Sequence, residues 1–113
     1  MKVSSGIQAA TIANGAAISS EIDLRGYRTA GIIMPSAWTA ASIGIQVSNK
    51  SGGTLVPLYD GSGNLVEYTG DVDLAVSLGT NVAAWDFIKL WSETSGTGVN
   101  QGAAREILVN VKA

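Results

Sequence analysis

The segment Gly31–Ser48, with the sequence GIIMPSAWTAASIGIQVS, carries the pattern that decides the fold. It begins with the apolar run Ile32–Met34, which Pro35 ends because proline has no amide hydrogen to donate to a sheet ladder. After Trp38, apolar side chains alternate with small or polar ones at Ile43, Ile45 and Val47. A period of two predicts a strand with one buried face. We therefore interpret the segment as two strands joined by a corner.

Short segments of the same kind recur along the chain roughly ten residues apart, separated by glycine-rich turns. The predicted strands outside the opening segment are Ile18–Leu24, Thr54–Asp60, Leu65–Tyr68, Asp71–Leu78, Phe87–Ser92 and Arg105–Lys112. In Asp71–Leu78 the alternation predicts that Val72, Leu74, Val76 and Leu78 point inward. Pro57 restricts its segment to a sheet edge or a bulge. Gly79–Asp86 is the one segment expected to hold a helical turn.

This spacing predicts an all-β, single-domain β-sandwich over residues 1–113, with eight or nine short antiparallel strands. A jelly-roll-like arrangement fits that count, and an immunoglobulin-like order is the second choice. Residues 1–14 are weakly patterned and rich in small side chains. They are interpreted either as the first strand of the sandwich or as an extended N-terminal arm that becomes ordered on a partner.

Composition excludes several classes of function. The 113 residues include 46% hydrophobic and 14% charged side chains with a net charge of −2, so no basic stripe is present to neutralise phosphates. No apolar run reaches the ~18 residues that span a bilayer. Polar and small residues interrupt the N-terminal segment, so we expect no signal peptide there. We expect neither a nucleic-acid nor a membrane partner, and we expect the chain to be made in a cytoplasm.

The residue types needed for common catalytic sites are missing. The chain contains no cysteine and no histidine, which excludes thiolate nucleophiles, thiolate metal sites and Ser-His-Asp triads. Asp60–Asn64 resembles the start of a calcium loop, but the twelfth position is Asp71 and not glutamate. Asp71 and Asp73 share a strand face and are expected to lie in solvent. We therefore expect no enzyme activity, no catalytic residue, no metal and no cofactor.

Aromatic and arginine side chains are the remaining candidates for binding. Trp38, Trp85 and Trp91 could stack on sugar rings, although aromatics in a small sandwich usually pack in the core or at its rim. Trp38 is expected to cap the core at the corner or, alternatively, to contact a partner. Three arginines could pair with carboxylates where subunits meet: Arg25, Arg28 and Arg105.

Two motifs carry a resemblance to a known family. They are Met34–Ala41 (MPSAWTAA) and Val99–Arg105 (VNQGAAR), and further similarity in order and spacing extends over residues 18–109. In these features the chain resembles small proteins encoded in the structural modules of tailed phages and prophages. Asp86, Trp91 and Glu93 depart from the family pattern, which has basic or small residues there.

The resemblance implies a virion component, namely a capsid decoration (cement) protein of the β-sandwich kind. Such a protein sits on the outside of the head shell as a homotrimer, bridges subunits of the major capsid protein, and is made in the cytoplasm of the bacterial host. The alternatives are a tail, neck or head-fibre component, and a carbohydrate- or receptor-binding sandwich that contacts a glycan. The residues expected to contact a partner are Lys2, Val3, Ile7, Arg25, Arg28, Trp38, Trp85 and Arg105.

Overall fold

The computed structural model describes residues 5–113, and every regular element in that range is a β-strand. The strands are β1 (Ser5–Ile12), β2 (Ile22–Asp23), β3 (Thr29–Ile33), β4 (Ser42–Ser48), β5 (Val56–Pro57), β6 (Glu67–Tyr68), β7 (Ala75–Ser77), β8 (Phe87–Thr94), β9 (Thr97–Gly98) and β10 (Arg105–Lys112). The predicted all-β sandwich is confirmed. The count is ten instead of eight or nine, and four of the strands have only two residues. Within the described range there is no helix long and apolar enough to cross a membrane.

Two antiparallel sheets form the sandwich. The first has the strand order β1-β10-β3-β7, and the second has the order β2-β8-β4-β5, with β6 added to β4 and β9 added to β8. Six of the nine connections between consecutive strands cross from one sheet to the other. With β6 and β9 set aside, the eight remaining strands give a jelly-roll-like sandwich of two four-stranded sheets.

The core lies between the sheets and is made by the apolar positions of the long strands. Their alternation was correctly assigned from the sequence in β4 and β10, where one set of side chains is at most 6% exposed: Ile43, Ile45, Val47, Ile107, Val109 and Val111. Ile88 and Leu90 of β8 are buried in the same core. Because β4 and β8 pair over seven residues in the middle of the second sheet, their inner side chains are covered on all sides.

The N-terminal segment contributes an edge strand to the first sheet. Ser5–Ile12 pairs with all of β10, from Ser5 opposite Lys112 to Ile12 opposite Arg105. Gln8 joins this strand to the second sheet, since its side chain donates to the Asp23 carbonyl (2.7 Å) and accepts from the Asp23 amide (3.0 Å). Of the two alternatives for residues 1–14, the structure therefore shows a strand over residues 5–12, and residues 1–4 lie outside the described range.

The prediction for Asp71–Leu78 is wrong over its first half. Only Ala75–Ser77 forms a strand, and Val72 and Leu74 are 38% and 37% exposed instead of facing the core. Asp73 has a φ of 56°, a left-handed conformation that interrupts an extended strand. The backbone remains attached to the end of β3 through hydrogen bonds from Asp73 N to Pro35 O (3.0 Å) and from Met34 N to Leu74 O (2.8 Å).

Two other segments are shorter or less regular than expected. Gly79–Asp86 contains turns and no helix, with Ala83 N donating to Thr80 O and Trp85 N donating to Val82 O. Val82 is buried at the bottom of this loop. In Thr54–Asp60 only Val56–Pro57 forms a strand, and Tyr59 adds an isolated bridge to Leu65. β5 lies at the edge of the second sheet, as Pro57 requires.

The corner between β3 and β4 is closed by Trp38. This indole is half-buried against the core, and its Nε1 donates to the Ala41 carbonyl at 3.1 Å. Gly70 lies against the same carbonyl. A Cβ at residue 70 would overlap the Ala41 oxygen and reach 3.0 Å from Trp38 Nε1. The corner therefore requires glycine at this position for steric reasons.

We expect Gly70→Ala to destabilise the fold by about 2 kcal/mol, because the methyl group must displace backbone and not a flexible side chain. The measurement is the free energy of unfolding in urea.

Gly61→Ala is the matched control, since nothing lies within 4 Å of a Cβ at residue 61. It should leave stability unchanged or raise it slightly. Equal losses from both substitutions would contradict the steric account of Gly70.

Candidate interaction surfaces

The outer face of the first sheet is uncharged and largely apolar at its centre. Cross-strand register places Ala9, Leu108, Ile33 and Ala75 in one row across the four strands. The adjacent row has Ile7, Asn110, Gly31 and Ser77. Ile7 is 68% exposed and Ile33 is 45% exposed. We call these two rows the apolar face.

Charged side chains border the apolar face along the β10 direction. Lys112 follows the rows at one end, and Glu106 precedes them at the other end. Removing a large apolar side chain from water contributes roughly 25 cal/mol per Å², so this face can gain free energy by contact with another surface. Of the contact residues expected from the sequence, Ile7 is the one on this face.

Three other expected contact residues meet at one end of the sandwich. Arg25, Arg28 and Trp85 line a hollow of about 410 Å³ together with Tyr27 and Asp86. The Arg25 guanidinium is already engaged. It forms an ion pair with Asp23 (2.8 Å), which lowers the pKa of that carboxyl, and it stacks on the Phe87 ring with 4.9 Å to the centroid.

Trp38 and Arg105 lie at the opposite end of β3 and β10, beside a buried polar network. At its centre is Gln101, which is 1% exposed. Its Oε1 accepts from Thr39 N (2.8 Å) and Arg105 Nε (3.2 Å). Its Nε2 donates to Thr39 O (3.0 Å) and Ser92 Oγ (2.7 Å). The amide of Gln101 is thus fully satisfied.

The same network joins the two motifs that carry the family resemblance. Thr39 lies in Met34–Ala41, while Gln101 and Arg105 lie in Val99–Arg105, 62 and 66 positions further along the chain. The Thr39 hydroxyl also accepts from Gly102 N (3.1 Å) and Arg105 Nη2 (3.3 Å). These motifs therefore have an intramolecular role in closing one end of the sandwich. Sequence reasoning treated Arg105 as a contact residue and missed Gln101.

The remaining expected residues are distributed as follows. Lys2 and Val3 lie outside the described range. Trp38, Trp85 and Trp91 are all half-buried, so none presents a fully open ring for stacking on a sugar. Trp38 and Trp85 pack against the core. Tyr59 is the exposed aromatic side chain, and it lines a groove of about 340 Å³ with Trp85.

The acidic residues considered for calcium serve local turns. Asp60 Oδ1 accepts from the amides of Ser62 (2.8 Å) and Asn64 (2.9 Å). The pKa of Asp60 is lowered by its hydrogen bonds with the amides of Asn64 and Ser62. Asp71 accepts from the amide of Val72 (2.7 Å). Between residues 5 and 113 no group of three or more acidic side chains is placed to hold a metal ion.

Comparison with known proteins finds a solved structure of similar fold. No protein-family model and no curated protein matches this chain. The chain is similar to the crystal structure of the SPBc2 prophage-derived protein YomS, with a TM-score of 0.59 and 11% sequence identity. The match covers 96% of this chain and 95% of that chain. The sandwich is thus shared over almost the full length of both proteins.

We expect Gln101→Ala to reduce the free energy of unfolding by about 3 kcal/mol, because it leaves buried partners without hydrogen bonds. The measurement is urea unfolding followed by tryptophan fluorescence. The control is Arg25→Ala, which removes an exposed ion pair and should cause little change. A small effect of Gln101→Ala would show that this network is not what closes the sandwich.

Proposed function

We propose that this chain is a structural protein of a bacteriophage virion that decorates the head shell, binds the major capsid protein and bridges neighbouring capsid subunits. Two observations support the proposal. The motifs of the chain resemble those of small proteins from phage structural modules, and its fold is similar to that of a prophage-derived protein. The apolar face is the observation that carries it, because adhesion to a shell requires an exposed surface whose burial is favourable.

The apolar face is suited to contact with an extended surface. Its two rows are built from paired strands, so its shape is held by the sheet and little conformational entropy is lost on binding. Each copy buries a modest area, and many copies on one shell add their contributions. In this proposal the apolar face contacts the capsid, and the opposite sheet faces outward.

The proposal needs no reactive site. The chain has no histidine and no cysteine, and the polar groups of the Gln101 network are already paired. The hollow at Arg25, Arg28 and Trp85 is a second place where carboxylates of a partner could be held. A tail, neck or head-fibre role would use the same inert scaffold. The particle that the protein binds distinguishes these roles.

Purified protein mixed with expanded, empty heads of the encoding phage should pellet with them, and it should remain in the supernatant when mixed with isolated tails. Ala75→Asp places a charge in the apolar face and should weaken binding to heads at least tenfold. The measurement is quantitative co-sedimentation over a range of protein concentrations.

Thr80→Asp is the control, because it adds the same charge at an exposed loop residue that belongs to neither row of the apolar face. Circular dichroism verifies that both variants are folded. Sedimentation with tails and not with heads would contradict the decoration role. Equal binding by Ala75→Asp and Thr80→Asp would exclude the apolar face as the binding surface.

The same proposal includes association of three copies, as in the decoration proteins that the sequence resembles. Size-exclusion chromatography with light scattering should give a mass three times that of the 11.6 kDa chain. Because Ala75 is assigned to the shell contact, Ala75→Asp should remain trimeric. A monomer at high protein concentration would contradict the trimer and leave the head-binding test unaffected.

A further inference from the structure

Two glutamates from different strands meet on the outer face of the second sheet. Alternation along β8 places Lys89, Trp91 and Glu93 on this face, opposite the buried Ile88 and Leu90. Gly44 of β4 is in register with Trp91 on one side and with Glu67 of β6 on the other. Glu93 lies one register step away, opposite Ser42.

The Glu93 side chain is completely buried although it lies on the outer face. Its exposed fraction is 0%, and the floor beneath it is Gly44. A Cβ at residue 44 would lie 2.9 Å from Glu93 Cγ and 3.3 Å from Glu93 Oε1. The carboxyl group therefore occupies space that exists only because residue 44 has no side chain.

One oxygen of this buried carboxyl has no partner. Glu93 Oε2 accepts from the Gly96 amide (3.3 Å), while Oε1 is the one buried side-chain oxygen or nitrogen of residues 5–113 without a hydrogen bond. Burial of a polar atom without a hydrogen bond is unfavourable. The Glu67 carboxyl lies beside it, and a proton on either group turns this contact into a hydrogen bond.

Within residues 5–113 no cation forms an ion pair with either carboxyl group. The neighbouring β4 residues on this face are Ser42, Gly44 and Gln46, and β9 contributes Thr97 and Gly98. Lys89 is the nearest cation along β8, but it lies opposite Gln46, four residues from Glu93, and Trp91 stands between them on the same face. Glu67 is the one charged residue of β6.

We propose that Glu93 and Glu67 share one proton, and that loss of this proton releases β6 from the edge of the second sheet. The step is a deprotonation of the pair, which passes from a carboxylic acid and a carboxylate to two carboxylates with release of a proton to water. Two adjacent negative charges, one of them fully buried, then repel each other.

β6 is the element that can move. β8 and β4 are the two inner strands of the second sheet, whereas β6 pairs only two residues with β4 at its edge. Two further hydrogen bonds hold it: the Tyr68 hydroxyl donates to the Leu78 carbonyl at 2.7 Å, and the amide of the preceding, buried Val66 donates to the Leu58 carbonyl at 3.0 Å. Short edge elements of this kind open locally at lower free energy than central strands.

The direction of the pH effect follows from the folded and unfolded states. Burial, together with the Glu67 carboxyl, raises the pKa of Glu93 from 4.5 to about 7 in the fold. The folded state thus holds more protons than the unfolded state between these values, so stability falls as pH rises from about 4.5 to about 7. Hydrogen bonds and Arg25 lower the pKa of Glu21, Asp23 and Asp60, so these groups titrate below this range. The chain has no histidine to titrate within it.

The test is urea unfolding of the full chain at pH 5 and pH 8, with Glu93→Gln and Glu67→Gln as matched variants. For the wild type we expect the unfolding equilibrium constant to increase on the order of 100-fold between the two pH values. Glu93→Gln removes the titrating group and should abolish most of this increase. Glu67→Gln replaces the repelling carboxylate with an amide that can donate to Glu93, and it should reduce the increase at least tenfold.

Hydrogen exchange locates the opening. After correction for the intrinsic rates, the amides of residues 65–68 should exchange faster at pH 8 than at pH 5 in the wild type, and equally at both in Glu67→Gln. The β10 amides, which exchange through global unfolding, should change by no more than the global unfolding constant does, and they should stay better protected than residues 65–68 at both pH values. If Glu67→Gln keeps the full pH dependence of stability, or if residues 65–68 remain equally protected at both pH values, the shared proton is excluded. These outcomes do not depend on head binding and leave the proposed function untouched.

Discussion

The amide group of Gln101 holds together the end of the sandwich on which the other elements depend. Through its side chain it binds Thr39 in the corner loop, Ser92 in β8 and Arg105 at the start of β10. Its backbone donates to Ala16 O and accepts from Gly15 N. One buried residue therefore connects four separate parts of the chain. Because a buried amide is stable only when its donors and acceptors are paired, these parts can dock in only one arrangement.

This constraint explains why the chain needs so few charges. The two sheets are held by the apolar inner faces of β4, β8 and β10. The end at Trp38 and Gln101 is closed by hydrogen bonds in which Arg105 is the one charged partner. The charged groups are mostly exposed, and Asp23–Arg25 is the ion pair found in residues 5–113. The outer surface of the first sheet is thus free to remain apolar. The proposed decoration role depends on this apolar surface, because its burial against another protein is favourable and requires no reactive group.

The second sheet differs from the first on its outer face. There Trp91 and Glu93 lie over Gly44, and Glu67 approaches from the edge. A surface strand would ordinarily leave a glutamate in water, yet here the absence of a side chain at residue 44 allows the carboxyl group to be buried. Asp86, Trp91 and Glu93 are the positions where the sequence departs from the pattern of the phage proteins that it resembles. Two of these three residues, Trp91 and Glu93, belong to the cluster over Gly44 that also includes Glu67.

The class of the fold and the inner faces of its long strands follow from the amino-acid sequence alone. Alternation at Ile43–Val47 and Ile107–Val111 is a local property, since neighbouring side chains of a strand must point to opposite faces. The edge position of Pro57 is equally local, because it follows from a missing amide hydrogen. The three-dimensional packing, and not any local pattern, places Asp73 in a left-handed conformation and leaves Val72 and Leu74 exposed. It also decided that Gln101 meets Thr39 and that Glu93 meets Glu67. Those pairs lie 62 and 26 positions apart, and their contact depends on how strands are ordered in the sheets, which no local pattern encodes.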